Sequence, residues 1–481
     1  MSRTYDDGMS APQSPLDQSA PSNHPGPGVP PLPVPPVGPP AGPPAPEPVW
    51  SSAQKLAFRL LFVLGGGILL FSVYGNAGLA VVWKLTGIWW LLAQIGSYVS
   101  RGEGVDIVIS GGGDNMWQWC MHLGWIVVGL VIVAVWTALD RNRPNYRSLL
   151  GLLGVFARFA LALSMLFYGI AKVLPTQMGF MALPANQLQL TGDTSLFTTL
   201  WGFMGASIPY MVVTGLIELT AGVLLLWRRT AILGSLLAIV AMGQVFLLNL
   251  FYDVPVKIIA GELLLIAIAL TVPYAPNLLR AALNRPAPTP VPPLPVAGAS
   301  RSWVRITGQV LKFGVAGLLM MVLTASGALM TYVIHTPRSA LDGVWRATSF
   351  TIDGAPAGLA QRGPAPWSNV AITLRGSDSN AALKQLGSAY DSVVTQEPAG
   401  YTTSWLLEVE GDVLELRKKE DDAPLRVTAR VDGDRLRLSG TVDGKRIEGV
   451  YERRSMERDR SHFRLVQPDD PGTAAPERGG S

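Results

Sequence analysis

Nine polar or ionisable side chains fall inside or beside long apolar runs of the chain: Arg158, Tyr168, Lys172, Glu218, Gln244, Asn249, Asp253, Lys257 and Glu262. A charge at membrane depth is costly, so such groups turn toward the interior of a bundle and find partners there. Arg158 stands about eight residues into one apolar run and Glu218 about nine residues before the end of the next; at ~1.5 Å per residue both lie ~12 to 14 Å from one surface. Equal depth predicts an Arg158–Glu218 ion pair. At ~100° per residue, Arg158, Tyr168 and Lys172 share an arc of roughly 80°. Gln244, Asn249, Asp253, Lys257 and Glu262 gather near the far ends of two later runs. The pattern predicts a polar cavity open on that far side and floored by the Arg158–Glu218 pair, able to hold protons or a polar ligand. Lys257 and Glu262 are five positions apart, about 140° around a helix, which sets them on different sides of it. A plainer role has comparable weight: the pair locks helices in register, the lysines snorkel to the surface, and Tyr168 is an interfacial aromatic.

Other chemistries lack their residues. Cys120 is the single cysteine, which excludes an intramolecular disulfide and dithiol chemistry carried by this chain alone. The histidines are His24, His122, His335 and His462; His122 and His335, near the far ends of their runs, read as interfacial residues, and no haem or metal site is expected. There is no Walker loop and no GxGxxG after a strand, and GGGD at Gly111–Asp114 reads as a turn. Nothing in the sequence signals nucleic acid.

These residues need elements to hold them. Only 15% of the 481 residues are charged, low for a soluble chain of this length, and the apolar residues concentrate between Leu56 and Val333. A helix needs roughly 20 apolar residues to cross the hydrocarbon. Seven runs meet that length: Leu56–Tyr74, Trp117–Leu139, Gly151–Leu174, Ser207–Trp227, Ala231–Phe251, Val254–Pro273 and Leu311–Ile334. The weaker run Ala77–Tyr98, with Lys84, Gln94, Trp89 and Trp90, reads as a helix lying at the interface. Arg141, Arg143, Arg147, Arg228, Arg229, Arg280, Arg285, Arg301, Arg305 and Lys312 then fall on one side, which the positive-inside rule makes cytoplasmic. The N-terminus is expected in the cytoplasm and everything after Thr336 outside it.

Composition divides the chain further. Residues 1–50 are rich in Pro, Gly and Ser and read as a disordered cytoplasmic tail. The first apolar run begins too late for a cleavable signal peptide and is expected to remain as an anchor. Residues 51–150 carry the first spans and an outer loop, 151–275 a four-helix core, 276–310 a Pro-rich linker, and 311–335 the last span. From 340 to 467 short segments alternate apolar and polar residues, among them VLELRKK, LRVTARV and RLRLSGTV, with DG turns at Asp432 and Asp443. Period two with DG between segments is the hairpin signature. An all-β antiparallel barrel or sandwich of roughly eight strands is expected, with Trp345, Trp367 and Trp405 in or near its core, and a disordered tail over 468–481.

RPNYRSLLGLLGVFARFALALSMLFYGIAKV (Arg143–Val173), WGFMGAS (Trp201–Ser207), TGLIELTAGVLLLWRRT (Thr214–Thr230) and NLFYDVPVKIIAGELLL (Asn249–Leu265) together resemble the DoxX-like family of integral membrane proteins. The resemblance spans roughly residues 139–273. It implies a compact four-helix membrane core in a bacterial inner or plasma membrane, inside a mainly α membrane protein of about seven transmembrane helices. It also implies a subunit that assists quinone- or thiol-linked redox chemistry on the extracytoplasmic side, with quinone as the organic cofactor and a membrane or extracytoplasmic protein as partner. Whether the chain is itself an enzyme stays open. The other class to weigh is a non-enzymatic scaffold, or a binder or transporter of a small amphipathic molecule.

Overall fold

The computed structural model describes residues 48–107, 113–286, 291–296, 300–376 and 381–456. The Pro-rich tail expected over 1–50 lies outside them except for its last three residues, as do the 468–481 tail and the first two residues of the GGGD turn.

Among the described residues seven helices are long and apolar enough to cross a membrane: Ser52–Val73, Met116–Leu139, Arg147–Val173, Ile208–Leu226, Ala231–Phe251, Lys257–Ala282 and Ser302–His335. They match the seven expected runs, with ends that shift where capping and tertiary contacts, not hydropathy, stop a helix. The third span begins at Arg147 instead of Gly151, and the last at Ser302 instead of Leu311. Because the helices alternate in direction, their ends sort into two faces. Trp50 and Pro144 are hydrogen-bonded on one, here the N-terminal face. Gly113 bonds to Pro255 on the other, which also carries the C-terminal domain and is here the barrel face.

The interface helix expected over 77–98 is different in the structure. Ile88–Arg101 stands along the barrel-side half of the second span, burying Leu92, Ala93, Gly96 and Ser97. Facing glycines bring the two backbones together: a β-carbon on Gly96 would lie 1.8 Å from the Cys120 carbonyl oxygen, and one on Gly124 1.9 Å from that of Leu92. Close packing outweighs the amphipathic pattern that suggested a flat position.

The third span is the centre of the bundle, against the fourth, sixth and seventh. Leu161, Met165, Leu166, Leu225, Met242 and Leu263 form its apolar core. Between hydrocarbon tails and a leucine there is no hydrophobic gain, so helices associate through close contact of small residues. The third and fourth spans do so along one seam. A β-carbon on Gly169 would lie 2.7 Å from the Leu219 nitrogen, one on Gly215 2.7 Å from Lys172 Cβ, and one on Gly222 2.9 Å from Leu166 Cγ. These pairs fix the antiparallel register of the two helices.

The C-terminal domain is a closed antiparallel barrel. Its strands are β1 (Gly343–Ile352), β2 (Ala355–Pro356), β3 (Asn369–Thr373), β4 (Ser392–Gln396), β5 (Thr402–Glu410), β6 (Val413–Arg417), β7 (Leu425–Asp432), β8 (Arg435–Val442) and β9 (Lys445–Arg453). The two-residue β2 only folds back on the end of β1; the other eight pair in sequence, and β9 returns to β1 with a bulge between Ala347 and Ser349. Closure removes exposed strand edges. Asp443 and Gly444, both at positive φ, make the two-residue turn between β8 and β9, the geometry a DG pair favours. Alternate residues point inward, so the interior is filled by Trp345, Ile372, Leu414, Leu436 and Tyr451, with Trp367 buried and Trp405 at the margin.

The barrel meets the bundle through its outer wall. Leu188, from the loop after the third span, packs on Val344, Ala371 and Val394, whose side chains alternate with the interior set. Gln396 donates to the Leu188 carbonyl at 2.8 Å, and the Ala185 amide to Thr373 Oγ1 at 3.1 Å. Buried Arg375 donates from Nε to the Ile334 carbonyl at 2.7 Å and pairs with Asp342, tying the end of the last span to the domain that follows it.

Candidate functional site

Two buried carboxylates lie within the bundle, each with a basic partner. Glu218, in the fourth span, accepts from Lys172 Nζ at 2.9 and 2.7 Å, with both side chains under a tenth exposed. The expected Arg158–Glu218 pair is therefore not formed. The reason is register. The seam Leu166–Gly222, Gly169–Leu219, Lys172–Gly215 places Glu218 level with the end of the third span. Continued along the helices, the same register sets Arg158 beside the turn after Leu226. Equal depth failed because it was counted from hydropathy limits, whereas the glycine contacts slide the helices past one another. Tyr168 remains on the Lys172 side, with the ammonium 5.9 Å from its ring centroid.

The second carboxylate is Glu262. Its Oε1 lies 2.7 Å from His122 Nε2, and Ser72 Oγ donates to its Oε2 at 2.5 Å. His122 Nδ1 is 2.7 Å from the Gln118 carbonyl oxygen. A carbonyl oxygen only accepts, so Nδ1 carries a hydrogen, and the contact from Nε2 to Oε1 requires one more proton between them. Imidazolium with carboxylate and imidazole with carboxylic acid both satisfy it. One proton is shared by groups of two different spans, and Ser72 joins them from a third. His122 was expected at the interface; it turns inward because Glu262 offers a partner that a headgroup region would not hold in place. Ser72 carried no signal in the sequence, being one more small residue in an apolar run.

The remaining expected residues divide. Asn249 is buried and donates weakly to the Val256 carbonyl at 3.5 Å. Lys257 bonds to Asp253 at 3.0 Å and lies 3.7 Å from Asp114, whose carboxylate accepts from the Lys257 and Ile258 amides at 2.6 and 2.9 Å and so caps the sixth span. Gln244 and Asp253 are exposed, and Gln244 does not join the others. The two buried carboxylates are thus paired separately, Glu218 with Lys172 and Glu262 with His122.

On the N-terminal face a third cluster escaped the sequence. Arg59 donates to Tyr146 Oη at 3.1 and 2.6 Å and to the Asp140 carbonyl, and Tyr146 Oη donates to Asp140 Oδ2 at 2.9 Å. Phe58 stacks on Tyr146 at 4.9 Å. The Tyr146 hydroxyl holds the Asp140 carboxyl below the usual carboxylate range.

Fold and site together define a multi-pass membrane protein with polar pairs inside its bundle and a barrel on one face. No family model matches the chain, and no solved structure matches it. Over 113 residues it is 32% identical to "Uncharacterized protein YwoB" of Bacillus subtilis (strain 168), an alignment covering 24% of this chain and 71% of that protein. The chain belongs to the same family as that protein.

Proposed function

We propose that the chain is a DoxX-like membrane subunit that assists quinone- or thiol-linked redox chemistry on the extracytoplasmic side, by giving and taking protons while a partner protein supplies electrons. The carrying observation is the proton shared by His122 and Glu262, with Ser72 as the next hydroxyl. Reducing a quinone to a quinol consumes two electrons and two protons, and a histidine is the side chain best suited to exchange a proton near neutral pH. The positive-inside rule makes the barrel face extracytoplasmic, and the DoxX-like resemblance implies a bacterial inner or plasma membrane. The test is chemical. The full chain purified in mild detergent is extracted with solvent and its quinone content measured; about one quinone per chain, reduced in H122Q, is expected. A preparation free of quinone that also leaves the redox activity of its membranes unchanged when deleted would sink this reading.

A second reading has its own support. Lys172 and Glu218 are sealed within the glycine seam, and the barrel interior is filled with side chains. Both suit a non-enzymatic scaffold, or a binder or transporter of a small amphipathic molecule whose barrel acts as a lid. Co-purified stoichiometric lipid without quinone would favour it.

A further inference from the structure

Glu218 pairs with Lys172, which leaves Arg158 with no carboxylate. Among the described residues no ion pair includes it. Between residues 49 and 335 the acidic residues are Glu103, Asp106, Asp114, Asp140, Asp193, Glu218, Asp253 and Glu262; of these Asp140 alone belongs to the N-terminal face, and its carboxylate accepts from Tyr146 and Trp136. Arg158 is half-buried in the third span, where the helix register sets it beside the turn after Leu226. Arg228, on that turn, lies within electrostatic reach of it, and so does Lys312 of the seventh span. Lys312 is held in position: its Nζ donates to the Leu226 carbonyl at 2.9 Å, and Phe313 beside it packs on Trp227 with ring centroids 5.5 Å apart. Three cations from three elements therefore converge at one end of the bundle, with no carboxylate of the described residues among them. Like charges at such distances repel, and an anion that they enclose removes the repulsion.

We propose that Arg158, Arg228 and Lys312 bind the phosphate of an anionic phospholipid, with its acyl chains along the seventh span. A planar guanidinium grips two phosphate oxygens at once, while an ammonium serves as a point charge. Basic pockets between spans are a recurrent setting for such headgroups. The seventh span suits the acyl chains: Leu311, Val315, Leu318 and Val322 are exposed along it, an apolar surface that begins level with the three cations. Inorganic phosphate has the same oxygens, and the acyl chains are what separate the two sources.

The test uses the full chain in mild detergent, titrated with phosphatidylglycerol, with phosphatidylcholine and with inorganic phosphate, and read by native mass spectrometry and thermal shift. Phosphatidylglycerol is expected to be retained and to raise the melting temperature, and phosphatidylcholine is not. R228Q, an exposed position whose loss should leave folding intact, and R158Q are each expected to weaken retention about fivefold, near 1 kcal/mol per basic residue. R285Q, on the same face but outside the cluster, is expected to leave it unchanged. Equal retention by R228Q, R158Q and the wild type would overturn the site. Equal stabilisation by inorganic phosphate and by phosphatidylglycerol would overturn the lipid as its occupant.

Discussion

The barrel and the bundle solve the same problem of cohesion by opposite means. The barrel folds in water and fills its interior with bulky apolar side chains, Trp345 and Tyr451 among them, at essentially no exposure. There the gain is the removal of apolar surface from water. Helices in lipid have no such gain from one another. The bundle instead brings backbones together at Gly169, Gly215 and Gly222 and joins spans by Lys172–Glu218 and His122–Glu262. Volume decides the first region, and small residues with paired charges decide the second.

That contrast can be broken at several points. Trp345→Ala should have the largest effect, about 5 kcal/mol of barrel stability, seen as a lowered melting transition; a loss below about 1 kcal/mol would show that the barrel does not depend on its filled core. Lys172→Met should cost about 3 kcal/mol by leaving Glu218 buried without its partner. The double replacement Lys172→Met with Glu218→Leu should recover most of that loss. If the double variant is as unstable as the single one, helix register and not charge pairing explains the damage. Tyr451→Phe sharpens the barrel side. The Tyr451 hydroxyl is buried without a hydrogen-bond partner, and burial pushes its pKa up, so its removal should leave stability unchanged or raise it by about 1 kcal/mol. A clear loss would mean that the hydroxyl is satisfied.

The smallest effect belongs to Asp140. Its folded-state pKa is depressed by the Tyr146 hydroxyl, so its contribution is present in full above the unfolded value near ~4 and is lost as pH falls through the lower folded value. Unfolding followed by tryptophan fluorescence from pH 7 to pH 3 should show a steeper acid loss in the wild type than in Asp140→Asn. Parallel curves would remove Asp140 from the account. Trp136, whose Nε1 lies 3.4 Å from Asp140 Oδ2, is the local reporter.

Much of the architecture was legible before any coordinates. Seven apolar runs and the period-two segments between DG turns need no tertiary information, because hydropathy and alternation are properties of consecutive residues. Lys172 and Glu218 were both recognisable as residues of the interior for the same reason: each is an isolated charge in an apolar run. Their partnership was not. His122 looked like a surface histidine because its partner, Glu262, is 140 positions away, and Ser72 looked like nothing at all.

The chain's local chemistry by itself determined how many helices could span and that an antiparallel sheet would follow them; its closure into a barrel came from the β9–β1 pairing. Only the tertiary structure decided which charges meet, because a pairing depends on the axial offset between two helices. Contacts across the glycine seam set that offset, and no single helix contains it. The register of that seam sets Glu218 against Lys172, about four helical turns along the third span from Arg158, and leaves Arg158 beside the turn that carries Arg228.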